Sequence, residues 1–193
     1  MRSNSIWRWS IGAVLGSIAL VLGVGLMPAE VAYEQLMLHS ATGLLYDGNV
    51  PFTGVTVRKT DQGHERARYR DGRRHGTVKT WWADGTLSYH ARYADGRRHG
   101  TVKTWWADGT LRSEARYVKG VPHGIQRQWY RSGARFKELR LDMGRESGMQ
   151  RAWRENGTLY ANYEARSGRV FGLKRADLCF NLDDEVIQLS DLN

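Results

Sequence analysis

Across residues 54–171 the chain alternates short runs of β-branched and aromatic residues with breaks that contain glycine. Leu87, Tyr89, Ala91 and Tyr93 occupy every second position, with Ser88, His90 and Arg92 between them. A period of two puts the two sets on opposite faces of a strand. Leu111, Ser113, Ala115 and Tyr117 repeat the pattern against Arg112, Glu114 and Arg116, and residues 77–82 form a second kind of β-rich run. A run of each kind, joined by a turn such as Ala83-Asp84-Gly85, predicts a β-hairpin.

The hairpins are copies. DGRRHGTVKTWWADGTL occupies residues 71–87 and again 95–111. Gly76, Gly100, Gly124, Gly148 and Gly172 keep the same interval of 24, as do Trp81, Trp105, Trp129 and Trp153. The pairs Asp84-Gly85, Asp108-Gly109, Ser132-Gly133 and Asn156-Gly157 follow it too. Gly76, Gly85, Gly100, Gly109, Gly124, Gly133, Gly148 and Gly157 are therefore expected to be turn glycines. A period this short leaves no room for a crossover helix, so successive hairpins form an antiparallel meander. The fold predicted for residues 46–172 is all-β: an elongated, single-layer array of repeated hairpins.

Turn chemistry predicts a register. A three-residue loop ending in glycine suits a type I turn closed by a glycine bulge, which sets Trp82 opposite Thr86 and Trp81 opposite Leu87. Trp81, Lys79 and Thr77 are then expected on the face of Leu87, Tyr89, Ala91 and Tyr93. A two-residue Asp-Gly turn would place Trp82 there instead. The first unit is two residues shorter between Gly63 and Gly72, and in the fourth Arg135 takes the leucine slot.

The chain opens differently. Residues 10–29 are uncharged and mainly apolar, long enough for one transmembrane helix, and Arg2 and Arg8 precede them. The arginines keep the amino terminus in the cytoplasm and send the array across the membrane. Retention as an anchor is favoured over cleavage as a signal, which would release the array outside the cytoplasm; Met27-Pro28-Ala29 is an indifferent cleavage site. Residues 30–45 are expected to be a juxtamembrane linker with a short helix, and 173–193 a cap with an acidic tail.

Charge concentrates in the repeats. Residues 41–170 carry 25 Lys and Arg against 13 Asp and Glu, whereas 171–193 carry two against five. The single cysteine, Cys179, excludes an internal disulfide framework and is read as a small side chain of a capping strand.

The pattern H-G-x₄-W-[WY]-x₂-G, followed by a strand and Y-x₂-G, resembles the bacterial MORN-variant repeat of YwqK-type proteins. It is carried by His75, Gly76, Trp81, Trp82, Gly85, Tyr93 and Gly96, by His99, Gly100, Trp105, Trp106, Gly109, Tyr117 and Gly120, and by His123, Gly124, Trp129, Tyr130 and Gly133. Leu45-Tyr46-Asp47-Gly48 and Pro51-Phe52-Thr53-Gly54 are similar to the opening of such arrays. The resemblance implies a hairpin array of antitoxin or immunity type that binds another protein without catalysis. Ser147, in place of histidine before Gly148, departs from the pattern.

No catalytic motif is present, and no cofactor or metal is expected. Repeated histidines lie two strands apart, roughly 9–10 Å, too far to share a zinc ion. They are read as turn residues with local hydrogen bonds, and Asp84 and Asp108 as turn formers. The candidate binding residues are Trp81, Trp105, Trp129 and Trp153 with Lys79, Lys103, Arg127 and Arg151, a ladder of indoles beside cations. Lysine and arginine stems covering the indoles are the structural alternative. Arg73-Arg74 and Arg97-Arg98 form a second basic set along one edge.

The expected partner is a protein, a toxin or an envelope complex, with an anionic membrane surface or envelope polymer second. Nucleic acid is not expected as a partner: it fits the charge and the aromatic residues but conflicts with the export signal. The exposed sheet edges would also permit an edge-to-edge homodimer.

Overall fold

The computed structural model describes residues 30–173. The apolar segment 10–29 and the acidic tail with Cys179 lie outside the described residues. The strands are β1 (Glu30–Ala32), β2 (Met37–His39), β3 (Leu44–Asp47), β4 (Val50–Pro51), β5 (Gly54–Thr60), β6 (Gly63–Arg70), β7 (Arg73–Trp82), β8 (Leu87–Ala94) and β9 (Arg97–Trp105). They continue with β10 (Leu111–Val118), β11 (Val121–Pro122), β12 (Gly124–Trp129), β13 (Arg135–Asp142), β14 (Arg145–Glu146), β15 (Gly148–Trp153), β16 (Leu159–Arg166) and β17 (Arg169–Leu173). From β5 to β17 the chain is a continuous antiparallel meander, the predicted all-β architecture. Among the described residues no helix is long and apolar enough to cross a membrane.

Residues 30–45 depart from expectation. In place of a helix beyond one 3₁₀ turn, Tyr33–Gln35, they form strands. β1 adds to β5 in parallel, Glu30 opposite Val55, while β2, β3 and β4 make a separate three-stranded sheet. That small sheet makes the array two-layered at its start, which corrects the single-layer expectation. Leu45 and Phe52 pack with Ala67, Tyr69 and Val78 in the main buried cluster. Backbone bonds fix the seam: Leu45 N–H donates to Gly72 O (2.9 Å) and Gly72 N–H to Phe52 O (2.8 Å).

The predicted turn is present. Trp82 N–H donates to Thr86 O (2.8 Å) and Gly85 N–H to Trp82 O (3.0 Å), and Trp81 stands opposite Leu87. The predicted faces are not. Thr80 pairs with Tyr89, so Ser88 is an extra residue, a bulge that shifts the register by one. Beyond it Val78 faces Ala91 and Lys79 faces His90. Trp81 and Lys79 therefore share a face with His90 and Arg92, opposite to Tyr89, Ala91 and Tyr93. The first hairpin lacks both devices: Thr60 pairs with Gly63 and Gly54 with Tyr69 in unbroken register. One loop residue and one bulge residue are the two positions by which that unit is shorter.

One face is a core face, where Ala67, Val78 and Ala91 are fully buried. Gly76, Gly100, Gly124 and Gly148 are not turn residues. They sit at or inside the start of the first strand of each hairpin, next to a second irregularity that lies between Ala67 and Tyr69 in the first case. Gly76 has φ of +88°, and a Cβ there would meet the Arg68 stem at 3.0 Å, so a side chain would be strained and crowded. Gly85, Gly109, Gly133 and Gly157 do close turns, as expected. At the other hairpin end the loops are Asp71-Gly72, Asp95-Gly96, Lys119-Gly120, Met143-Gly144 and Ser167-Gly168, all at positive φ, the type I′ geometry that matches strand twist.

Candidate functional site

The meander brings residues of successive repeats into rows across the open face, the one opposite the core. Trp81, Trp105, Trp129 and Trp153, with Lys79, Lys103, Arg127 and Arg151 two residues before them, all fall on this face and recur every second strand. The four indoles are half-buried. Trp81 stacks on His64, ring centroids 4.6 Å apart and planes within 9°. Among the described residues the cations over aromatic rings are Arg58, Arg74, Arg98, Arg112 and Lys137. None of the four ladder cations is among these.

The second aromatic of each pair has a different task. Trp106 Nε1–H donates to Trp129 O (3.4 Å) and Tyr130 O–H to Trp153 O (3.0 Å), so this position ties one repeat to the next. Trp82 holds the equivalent place, but its Nε1–H is buried without a partner.

Histidine and aspartate also join repeats. His75 Nδ1 accepts the backbone N–H of Asp95, and His123 Nδ1 that of Met143, both at 3.4 Å. These bonds span 20 residues, so the expectation of local turn bonds is corrected. Asp84 and Asp108 accept Thr86 N–H (2.8 Å) and Thr110 N–H (2.9 Å), as turn formers do. The Arg131 guanidinium, with Thr110 N–H, holds the Asp108 carboxyl down at about 2. No group of three or more potential metal ligands occurs among the described residues.

The second basic set divides. Arg73 and Arg97 are exposed. Arg74 instead pairs with Glu65 (2.8 Å) and lies over Tyr93, and Arg98 donates to Tyr117 Oη (3.3 Å). These two guanidinium groups are engaged within the array; Arg74 is half-buried and withdrawn from the predicted basic edge, whereas Arg98 remains exposed there with Arg73 and Arg97.

The row through the ladder cations was not anticipated. Arg66 faces Lys79, Lys79 faces His90, and His90 faces Lys103. Lys103 then faces Glu114 and Arg127 faces Glu138. Lys103 pairs with Glu114 at 3.0 Å and Arg127 with Glu138 at 3.1 Å. Arg66 pairs with Glu30. Lys79 is exposed and has no carboxylate within ion-pair distance among the described residues. The signal was present in the sequence: Arg66, His90, Glu114, Glu138 and Asn162 are one repeat position, basic in the first two copies, acidic in the next two and neutral in the last.

This hairpin array is of the kind to which the sequence comparison points. The family described as MORN repeat variant matches residues 74–95 and 98–119, two adjacent repeats. No curated protein matches the chain. The resemblance to antitoxin or immunity proteins receives no support from any relative.

Proposed function

We propose that this chain is a non-catalytic binding array, held at the membrane by residues 10–29, whose open face engages another protein. The observation that carries the reading is the row of half-buried indoles, Trp81, Trp105, Trp129 and Trp153, beside a row of cations on a sheet face that no second layer covers among the described residues. Tryptophan and arginine side chains supply much of the binding energy at protein interfaces, and a rigid sheet presents them at a reduced backbone ordering cost. The repeat similarity agrees with a binding role and names no partner.

The test is photo-crosslinking in the native host from a probe at position 101, an exposed open-face site close to the ladder. A single stoichiometric protein adduct, lost when Trp105 and Trp129 are replaced by alanine, supports the proposal. Absence of any adduct, or one indifferent to both substitutions, overturns it. An anionic envelope polymer is the alternative that the uncovered Lys79 favours, and it predicts salt-sensitive binding to wall material in place of a protein adduct.

A further inference from the structure

The open face is not uniform. From Arg127 to Glu138, and from Lys103 to Glu114, each cation meets a carboxylate on the neighbouring strand. In the first two repeats the same position carries Arg66 and His90. Lys79 consequently stands between two basic side chains, Arg66 on β6 and His90 on β8. Arg66 is answered by Glu30 on β1, but Lys79 has no carboxylate within ion-pair distance among the described residues, so an array that neutralises Lys103 and Arg127 across the strand leaves Lys79 beside like charge and without an anion. The four strands involved span about 14 Å, within reach of one short segment of a partner. Arg66, Thr77, Lys79, Trp81 and His90 line an open groove of about 470 Å³ at this place.

We propose that Lys79 and His90, flanked by Lys103, form a site that receives a carboxylate side chain of the partner protein, replacing the glutamate that the later repeats supply themselves. The proposal rests on the protein-binding reading above and deepens it. Carboxylate is favoured because the array's own solution, seen at Lys103–Glu114, is a carboxylate 3.0 Å from the lysine ammonium. Trp81, stacked on His64, walls one end of the groove. The groups facing His90 are Lys79 from β7 and Lys103 from β9, with Arg92 on its own strand. Burial, then Lys79, Arg92 and Lys103, depress its proton affinity in the free protein. A bound anion reverses part of that effect, so binding takes up a proton and strengthens as pH falls through the histidine range.

The experiment titrates the full-length chain, in detergent at low salt, with a fluorescent hexaglutamate peptide and a hexaglutamine control. Hexaglutamate binding that falls at least tenfold in Lys79→Gln and in His90→Glu, and little in Arg145→Gln, an exposed arginine outside the ladder, supports the site. His90→Glu places the missing carboxylate in the array itself, so it fills the site without unfolding the strand, and its melting temperature is measured alongside. Binding should also tighten several-fold from pH 7.5 to 6.0 in the parent chain and lose that dependence in His90→Gln. Equal losses in Lys79→Gln and Arg145→Gln would show diffuse charge only and overturn the proposal. Binding to phosphatidylglycerol vesicles that depends on His90, with none to hexaglutamate, overturns it in favour of a lipid phosphate. A crosslinked protein partner that ignores His90→Glu overturns this site and leaves the binding array standing. His90-dependent peptide binding without any partner in the cell does the reverse.

Discussion

Val78 and Val102 lie at the same place in two copies of an identical 17-residue stretch, residues 71–87 and 95–111, so their replacement by alanine is an internally controlled experiment. Val78 is fully buried and belongs to the cluster with Leu45 and Phe52, which the small β2–β4 sheet lays over it. Val102 retains 6% exposure and has Ala115 opposite it on the neighbouring strand. Each substitution removes two methyl groups, about 1.6 kcal/mol of transfer free energy. Beneath the second layer the neighbours are held from above, and roughly 50 Å³ of residual cavity adds about 1.2 kcal/mol. Val78→Ala should therefore cost about 3 kcal/mol and Val102→Ala about 1.5 kcal/mol, since the site of Val102 can relax or admit solvent. Urea unfolding followed by tryptophan fluorescence measures the total. Amide exchange of β7 and β9 shows whether the loss is local, a necessary check because repeat arrays unfold piecewise. Equal costs would refute the second layer, since sequence, rotamer preference and immediate strand neighbours differ little between the two sites.

Three shorter predictions test other parts of the structure. Trp106→Phe removes the bond to Trp129 O and should cost about 1 kcal/mol more than Trp82→Phe, whose buried N–H has no partner to lose, read as a difference in urea midpoint. Met143→Asn should raise the midpoint by up to about 1 kcal/mol, because Met143 is exposed at φ +43° in a type I′ turn that favours asparagine. The His90 proton affinity is lowered below its ordinary value of 6.5, first by burial and then by Lys79, Arg92 and Lys103. The unfolded chain thus takes up that proton more readily, and stability falls as pH drops below about 6.5. His90→Gln should lose less melting temperature than the parent chain between pH 7.5 and 5.5, and a parallel decline would refute the assignment.

The repeat, its strands and the turns closed by Gly85 and its equivalents were legible in the sequence because each rests on local chemistry, whereas Gly76 and its equivalents, read as turn glycines, lie in strands. Asp84-Gly85 specifies its turn whatever surrounds it. The faces were not legible in the same way. A bulge adds one residue without a composition signal, and one residue inverts every side chain beyond it. The information lay in a length: Gly54 reaches its partner Tyr69 across 15 residues, whereas Gly76 needs 17 to reach Tyr93. A three-residue loop accounts for only one of the two extra positions, so a bulge was required. Residues 30–45 gave no such handle, since they lie before the repeats and their pairing with β5 and their cover over Phe52 are tertiary. The ladder of indoles and cations was readable because i and i+2 share a face on any strand. The neutralisation of Lys103 but not Lys79 depends on cross-strand neighbours, which a wrong face assignment conceals.

That last pair shows how a copied sequence acquires different local chemistry. Lys79 and Lys103 have identical neighbours along the chain for several residues in either direction. Their difference comes from the strand that follows, where residue 90 is histidine and residue 114 glutamate. In a meander each strand is read by the next, so divergence in the second strand of a hairpin resets the electrostatics of the first without altering its fold. The first strand, with its bulge glycine, its turn and its inter-repeat aromatic, is under structural constraint at nearly every position. The open-face positions of the second strand are comparatively free, because their side chains meet solvent and the charged groups of the adjacent strands and do not pack in the core. Variation in what such an array binds should therefore collect at positions 66, 90, 114, 138 and 162, and a row of substitutions there, with the first strands untouched, should move binding while leaving the melting temperature within a few degrees.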